Sequence, residues 1–187
     1  GFMKRGMQLI HFLEFIRSIV IYVLAAFLFV AFFLRPMQIS GTSMTPTLLD
    51  GEKVMINVVN NLISDPKRFD VVVVKHGDEM WVKRVIGLPN ETLSYEDGQL
   101  LINGKKVEES FLQETYMKET LERLSIQQFN SDMKELTLGD DEYFLVGDNR
   151  PESLDSRNVQ VGAFHRQDII AIGVVVFWPF DKVGYVG

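Results

Sequence analysis

Apolar and polar positions divide this chain into two regimes. From Ser18 to Leu34, "SIVIYVLAAFLFVAFFL", 17 consecutive residues carry no charge. At about 1.5 Å rise per residue that run makes roughly 25 Å of helix. Phe15 and Ile16, with the Arg17 stem snorkelling to the interface, bring it to spanning length. A helix apolar on every face would otherwise need a large protein around it, and the remaining roughly 150 residues are too few. A cleavable leader is the other membrane reading, but the run is long for one and "FFLRPMQ" offers no small residues at the −3 and −1 positions of a cut. The pattern predicts an uncleaved anchor over residues 16–34. Lys4, Arg5 and Arg17 lie before its charge-free run and only Arg35 lies close after it. That asymmetry puts a segment 1–15 in the cytoplasm and residues 35–187 on the far side of a single-pass protein of the cell membrane.

Beyond Arg35 the period changes. "KVMIN", "DVVVVKH", "MWVKRVIG", "QLLING", "EYFLVG" and "IIAIGVVVFW" are short runs rich in valine, isoleucine and aromatics, as strands are. Turn signals separate them at Asp50-Gly51, Asp65-Pro66, Gly77-Asp78, Pro89-Asn90, Asp97-Gly98 and Asn103-Gly104. "LSYEDGQLLING" predicts a hairpin closed at Asp97-Gly98. The fold class expected is mainly β, a coiled antiparallel sheet behind one N-terminal transmembrane helix. Residues 108–135 interrupt it with a polar, charged insertion. Helical spacing of Tyr116, Leu121 and Leu124 leaves three forms open there: a short helix, an extended flap or a loop, solvated or closing over a cleft.

Composition narrows the function. Net charge is −6, which argues against nucleic acid as a partner because neutralising phosphates needs a basic face. There is no cysteine, so disulfide frameworks, thiolate zinc sites and cysteine nucleophiles are excluded. No HExxH, ligand-spaced carboxylates or glycine-rich phosphate cradle occurs, and no metal or cofactor is expected.

Three stretches carry groups capable of chemistry. In "SGTSMTPTL", Pro46 restricts its own backbone and that of Thr45, and Gly41 permits close approach. Ser43 is either a nucleophile on that stiff turn or a hydroxyl in a plain one. In "MWVKRVIGLP", alternation puts Lys83 and Arg84 on opposite faces, so one of them is expected to point inward. A buried lysine loses its proton and becomes a base near neutrality; a solvated strand-end lysine does not. In "GDNRPESLDSR", Ser153, Asp155 and Arg157 fall two apart, on one face if extended, where carboxylate and guanidinium can pair. A Ser-His-Asp arrangement through His76 or His165 also remains open, since triad members need only be close in space.

"SGTSMTPTL", "RFDVVVV", "WVKRVIGLP" and "GDNRPESLDSR", in this order behind an anchor, resemble four successive motifs of the bacterial type I signal peptidases, in their Gram-positive-like branch. The likeness runs from about residue 35 to "FWPF". It implies a membrane-anchored serine endopeptidase that removes signal peptides from exported preproteins, using a Ser-Lys dyad. Ser43 would be the nucleophile and Lys83 the general base. Ser153 matches the serine that orients the lysine, Asp155 and Arg157 the supporting ion pair, and Asp148 a further acidic residue. The oxyanion hole would be formed at Ser43 and Gly41. Some relatives carry a serine at the latter position, so the second donor here stays open. Pro151 and Glu152 depart from the commoner Asp-Asn. Ile39, Met44 and Val82 match positions lining shallow pockets that accept small residues at −1 and −3 of the substrate. Ser43 lies nine residues past Leu34, within about 30 Å of the membrane edge. Phe177, Trp178 and Phe180 would rest either on the lipid bilayer or in the core. Two rivals are a self-cleaving SOS repressor, whose DNA-binding part is missing here, and a catalytically silent anchored β domain, which would be expected to lose Ser43 or Lys83.

Overall fold

The computed structural model describes residues 2–187, with side chains for 10–59 and 61–187. Gly1 and the side chains of Lys4 and Arg5, on which the charge asymmetry partly rests, lie outside the described residues. Two compact units divide the chain, one ending at Arg35 and one spanning Pro36–Gly187.

The first unit is a single helix, α1 (Phe2–Phe33). Its stretch Ile10–Phe33 is long and apolar enough to cross a membrane. The stretch begins ahead of the charge-free run because a helix of this length tolerates Glu14 and Arg17 near one end. None of its apolar window is buried, unlike a soluble core helix.

After α1 the elements follow in chain order as β1 (Leu34–Gln38), which begins at the end of the first unit, then β2 (Lys53–Asn57), α2 (Val58–Ile63), β3 (Val71–His76), β4 (Glu79–Gly87), β5 (Thr92–Glu96), β6 (Gln99–Ile102) and β7 (Lys105–Lys106). Then come α3 (Glu114–Leu124), β8 (Met133–Thr137), β9 (Glu142–Val146), β10 (Phe164–His165), β11 (Ile169–Ile172), β12 (Val174–Trp178) and β13 (Gly184–Val186). They form three sheets, ordered β1-β2-β12-β13, β10-β9-β4-β3-β11 and β7-β6-β5-β8. Every strand pair whose register is resolved is antiparallel. The mainly β class expected from the valine-rich runs is the one observed.

The five-stranded sheet is buried on both faces, which explains the unbroken run Val71–Val74. Val71 and Val73 pack with Ile39, Met44 and Leu48 against the first sheet. Val72 and Val74 point the other way, to Val85, Leu145 and Phe164. Period-two alternation thus feeds two cores from one strand. A third core holds the last sheet against Ile86, Phe144 and Val146. The predicted hairpin forms as β5–β6, with Glu96 opposite Gln99. Asp97 and Gly98 both take positive φ, 49° and 74°, as a tight two-residue connection demands.

The insertion is structured. Of the forms left open for it, the helix is realised as α3, with Ser125 in the left-handed conformation at its C-terminal end. Tyr116, Leu121 and Leu124 are half-buried on it. The segment then re-enters the protein, where Phe129 and Asn130 are buried and β8 pairs with β5. Its anchor is polar. Arg150, with no exposed side-chain surface, pairs with Glu109 at 2.6 Å and also donates to Asn130 Oδ1, Tyr95 Oη and Gly147 O. Removing the carboxylate leaves an uncompensated buried guanidinium. Glu109→Ala is therefore expected to lower unfolding free energy by about 3–5 kcal/mol, measured by chemical denaturation of the second unit; a loss below about 1 kcal/mol would contradict a structural role for the pair.

Candidate active site

Two turns and one strand meet at a cavity of about 530 Å³ lined by residues 37–44, 80–83, Glu152 and Leu154. It contains Gly41, Ser43, Met44, Ile39, Val82 and Lys83 together. Ser43 sits in the turn between β1 and β2, where Thr45 N–H donates to Thr42 O and Leu48 N–H to Met44 O. The Thr45–Pro46 peptide is cis. Gly41 adopts φ +90° and its N–H donates to Asp50 Oδ1 at 2.8 Å, so that amide already has a partner. Ile39, Met44 and Val82 are buried in the adjoining core and present only their edges to the cavity.

Lys83 reaches the cavity from β4. Of the two adjacent cations one was expected inward; both are, because both faces of this sheet are covered. Lys83 is 3% exposed and Arg84 5%. Their surroundings differ completely. Arg84 donates twice to Asp148, at 2.8 and 2.7 Å, and once to Phe69 O. Lys83 Nζ donates to the neutral Ser153 Oγ at 3.2 Å and lies 5.4 Å from the Trp81 ring centroid. Burial lowers the Lys83 pKa from 10.5 to about 8, against the opposing pull of Asp155.

The loop after β9 supplies the rest, in turns and not in the extended form that would have put Ser153, Asp155 and Arg157 on one face. Its ion pair is local: Arg157 Nε and Nη2 donate to the Asp155 oxygens at 2.8 Å each. Burial works to raise the Asp155 pKa, but the Arg157 guanidinium and the Gly147 N–H hold it below the usual carboxylate value. Asp148 turns away from that pair, accepting from Arg84 and from the Thr47 hydroxyl. It ties β4 to the Ser43 turn. Among the described residues no histidine lines the cavity. His76 stacks near Trp81, at 4.2 Å between ring centroids, and His165 is exposed beside Asp141.

The profile of the family described as signal peptidase, peptidase S26, matches residues 12–178. The chain belongs to that family. Among its relatives, signal peptidase I of Bacillus amyloliquefaciens is 38% identical over 171 residues, covering 91% of this chain and 90% of the relative. Signal peptidase I S of Bacillus subtilis is 37% identical over 171 residues, covering 91% of each. A crystal structure of a signal peptidase I from Enterococcus faecalis is 30% identical, with a TM-score of 0.49 over 58% of this chain and 97% of that one. As a type I signal peptidase this chain is an enzyme, a hydrolase of signal-peptide processing, and α1 fits the single-pass anchor.

Within this signal peptidase, residues that pattern alone did not single out hold the site. Asn149, wholly buried, donates its N–H to Ser43 O at 3.0 Å. Gly147 lies between the two serines: a Cβ there would fall 2.4 Å from Ser43 O and 2.2 Å from Ser153 Oγ. Both approaches are closer than real side chains allow, so Gly147→Ala must push the two elements apart. A displacement near 1 Å at a reacting group costs about 100-fold, and precursor cleavage should fall by about that factor. Retention of full activity by a folded Gly147→Ala would show that the two turns have slack.

Proposed function

We propose that this peptidase cleaves the signal peptides of exported preproteins by acyl transfer through a Ser43–Lys83 dyad, on the outer side of the membrane. What supports the reading most is a buried lysine amine, hydrogen-bonded among the described residues only to a neutral hydroxyl and with its pKa lowered to about 8, in the cavity that also holds Ser43. An ordinary ammonium is no base; this one is partly neutral near pH 7 and can accept a proton.

In the reaction, Ser43 Oγ attacks the scissile carbonyl while Lys83 Nζ takes its proton. The carbonyl oxygen becomes an oxyanion, for which the Ser43 N–H is the donor. Gly41 N–H could join only by leaving Asp50. Lys83 then protonates the leaving amine, the mature protein departs, and the same amine activates the water that hydrolyses the acyl-enzyme. Ser153 fixes the amine's direction, and the Asp155–Arg157 pair fixes the loop that carries Ser153. Ile39, Met44 and Val82 leave only shallow apolar recesses, which select small residues at −1 and −3. Lys4, Arg5 and Arg17, ahead of the charge-free run, favour a cytoplasmic N-terminus, and the lipid bilayer holds enzyme and preprotein together.

Ser43→Ala and Lys83→Ala should each abolish cleavage of an alanine-x-alanine precursor by the detergent-solubilised protein, with products read by mass spectrometry. His76→Ala and His165→Ala should keep near-normal rates; a folded but inactive histidine variant would instead point to a triad. The rate should also depend on pH in one direction. Lys83 is catalytically competent only when neutral, so kcat/KM should rise with pH through a midpoint of about 8 and level off above it. A profile flat from pH 6 to 9, with chemistry limiting, would exclude a lysine base.

A further inference from the structure

The mechanism leaves one charged side chain at the cavity without a task. Glu152 lines it, an exposed residue whose carboxylate is bonded to side chains of the protein itself. Arg123 of α3 donates to it through Nη2 at 2.6 Å and Nη1 at 3.4 Å. Asn149 Nδ2 donates to the same carboxylate at 3.1 Å, and also to Thr42 O at 3.1 Å. We propose that Glu152 is a positioning residue for the oxyanion donor, acting through Asn149 and the Thr42 carbonyl on the Ser43 N–H.

Peptide geometry links the last two groups. Thr42 C=O and Ser43 N–H belong to one planar trans unit, so whatever fixes the carbonyl fixes the direction of the N–H. Donation to the carbonyl also polarises the amide and strengthens its N–H as a donor. The other half of the argument lies in Asn149. Its Oδ1 is buried without a hydrogen-bond partner, so the carboxamide is not held from its oxygen side. Nothing about that oxygen favours the observed orientation over the flipped one. The nitrogen side decides: a flip would turn Oδ1 towards the Glu152 carboxylate and the Thr42 carbonyl, two acceptors. The negative charge of Glu152 is the stronger of the two objections. Arg123, exposed and on the insertion, holds that carboxylate in place, which ties α3 to the nucleophile turn.

This inference rests on Ser43 N–H as oxyanion donor and deepens that reading. The test compares Glu152→Ala, Arg123→Ala and the double variant in the full-length, detergent-solubilised enzyme cleaving one alanine-x-alanine precursor, beside Ser43→Ala. An orientation loosened but not lost should cost less than removing an oxyanion donor outright, which is about 100-fold or more. For Glu152→Ala we expect kcat to fall about tenfold, KM to stay within about twofold and the kcat/KM midpoint to stay put, since the relay does not touch the Lys83 amine. Arg123→Ala should lose less, and the double variant no more than Glu152→Ala alone, because Arg123 acts only through Glu152. An unchanged kcat in Glu152→Ala, a loss confined to KM, a shifted midpoint, or additive losses in the double variant would each overturn the relay. Residual turnover in Ser43→Ala would overturn the nucleophile assignment beneath it, a result distinguishable from all of these.

Discussion

The site depends on a close approach made at a residue that has no side chain of its own. At Gly147 the loop after β9 runs against the Ser43 carbonyl and the Ser153 hydroxyl at distances where any Cβ would collide. That approach lets Asn149 N–H reach Ser43 O at 3.0 Å and brings Ser153 to the lysine. Its effect is positional: two segments about a hundred residues apart in sequence behave as one rigid rim. The first core, where Met44 and Leu48 pack against Val71 and Val73, supplies the apolar burial behind that rim.

Charge is distributed around this contact so that one amine is treated unlike every other cation nearby. Arg84 has Asp148, Arg150 has Glu109 and Arg157 has Asp155, each at 2.8 Å or less. Buried cations need such partners, because desolvation is otherwise uncompensated. Lys83 makes no ion pair among the described residues; Asp155, the carboxylate that most favours its charge, is bonded to Arg157. Withholding a partner from one cation while pairing its neighbours is what lowers a single pKa.

How much of this was legible beforehand varies with where the information lies. The strands and the Asp97–Gly98 hairpin were legible because β-branched runs and turn residues are local signals. That Lys83 and Arg84 take opposite faces followed from alternation; that both are buried did not, since what covers them comes from distant loops, Ser153 over Lys83 and Phe111 and Asp148 over Arg84. The spacing of Ser153, Asp155 and Arg157 suggested an extended segment, whereas the Asp155–Arg157 pair forms across a turn, and the Asp155 carboxylate also accepts from Gly147 N–H. The spacing of Tyr116, Leu121 and Leu124 allowed α3, but it did not show how the insertion is fastened, because the Arg150–Glu109–Asn130 cluster is polar. Asn149 resembles any loop asparagine until its neighbours 107 residues away are in place.

The adjacent pair Lys83-Arg84 shows why these two cations are not interchangeable. A guanidinium stays charged at any accessible pH and presents a planar fork, so at position 84 it forms a two-pronged bond to Asp148 that joins β4 to the Ser43 turn through Thr47. An amine at that place would make one bond and leave the other carboxylate oxygen short of a donor. For the base proposed at position 83 the requirement reverses. The group must shed its proton when desolvated, which an amine does and a guanidinium does not. The same β4 register that directs one residue to a carboxylate directs the next to a hydroxyl. The paired cation and the proposed base are thus separated by a single step along the strand, and the period-two geometry of the sheet is what keeps their environments apart.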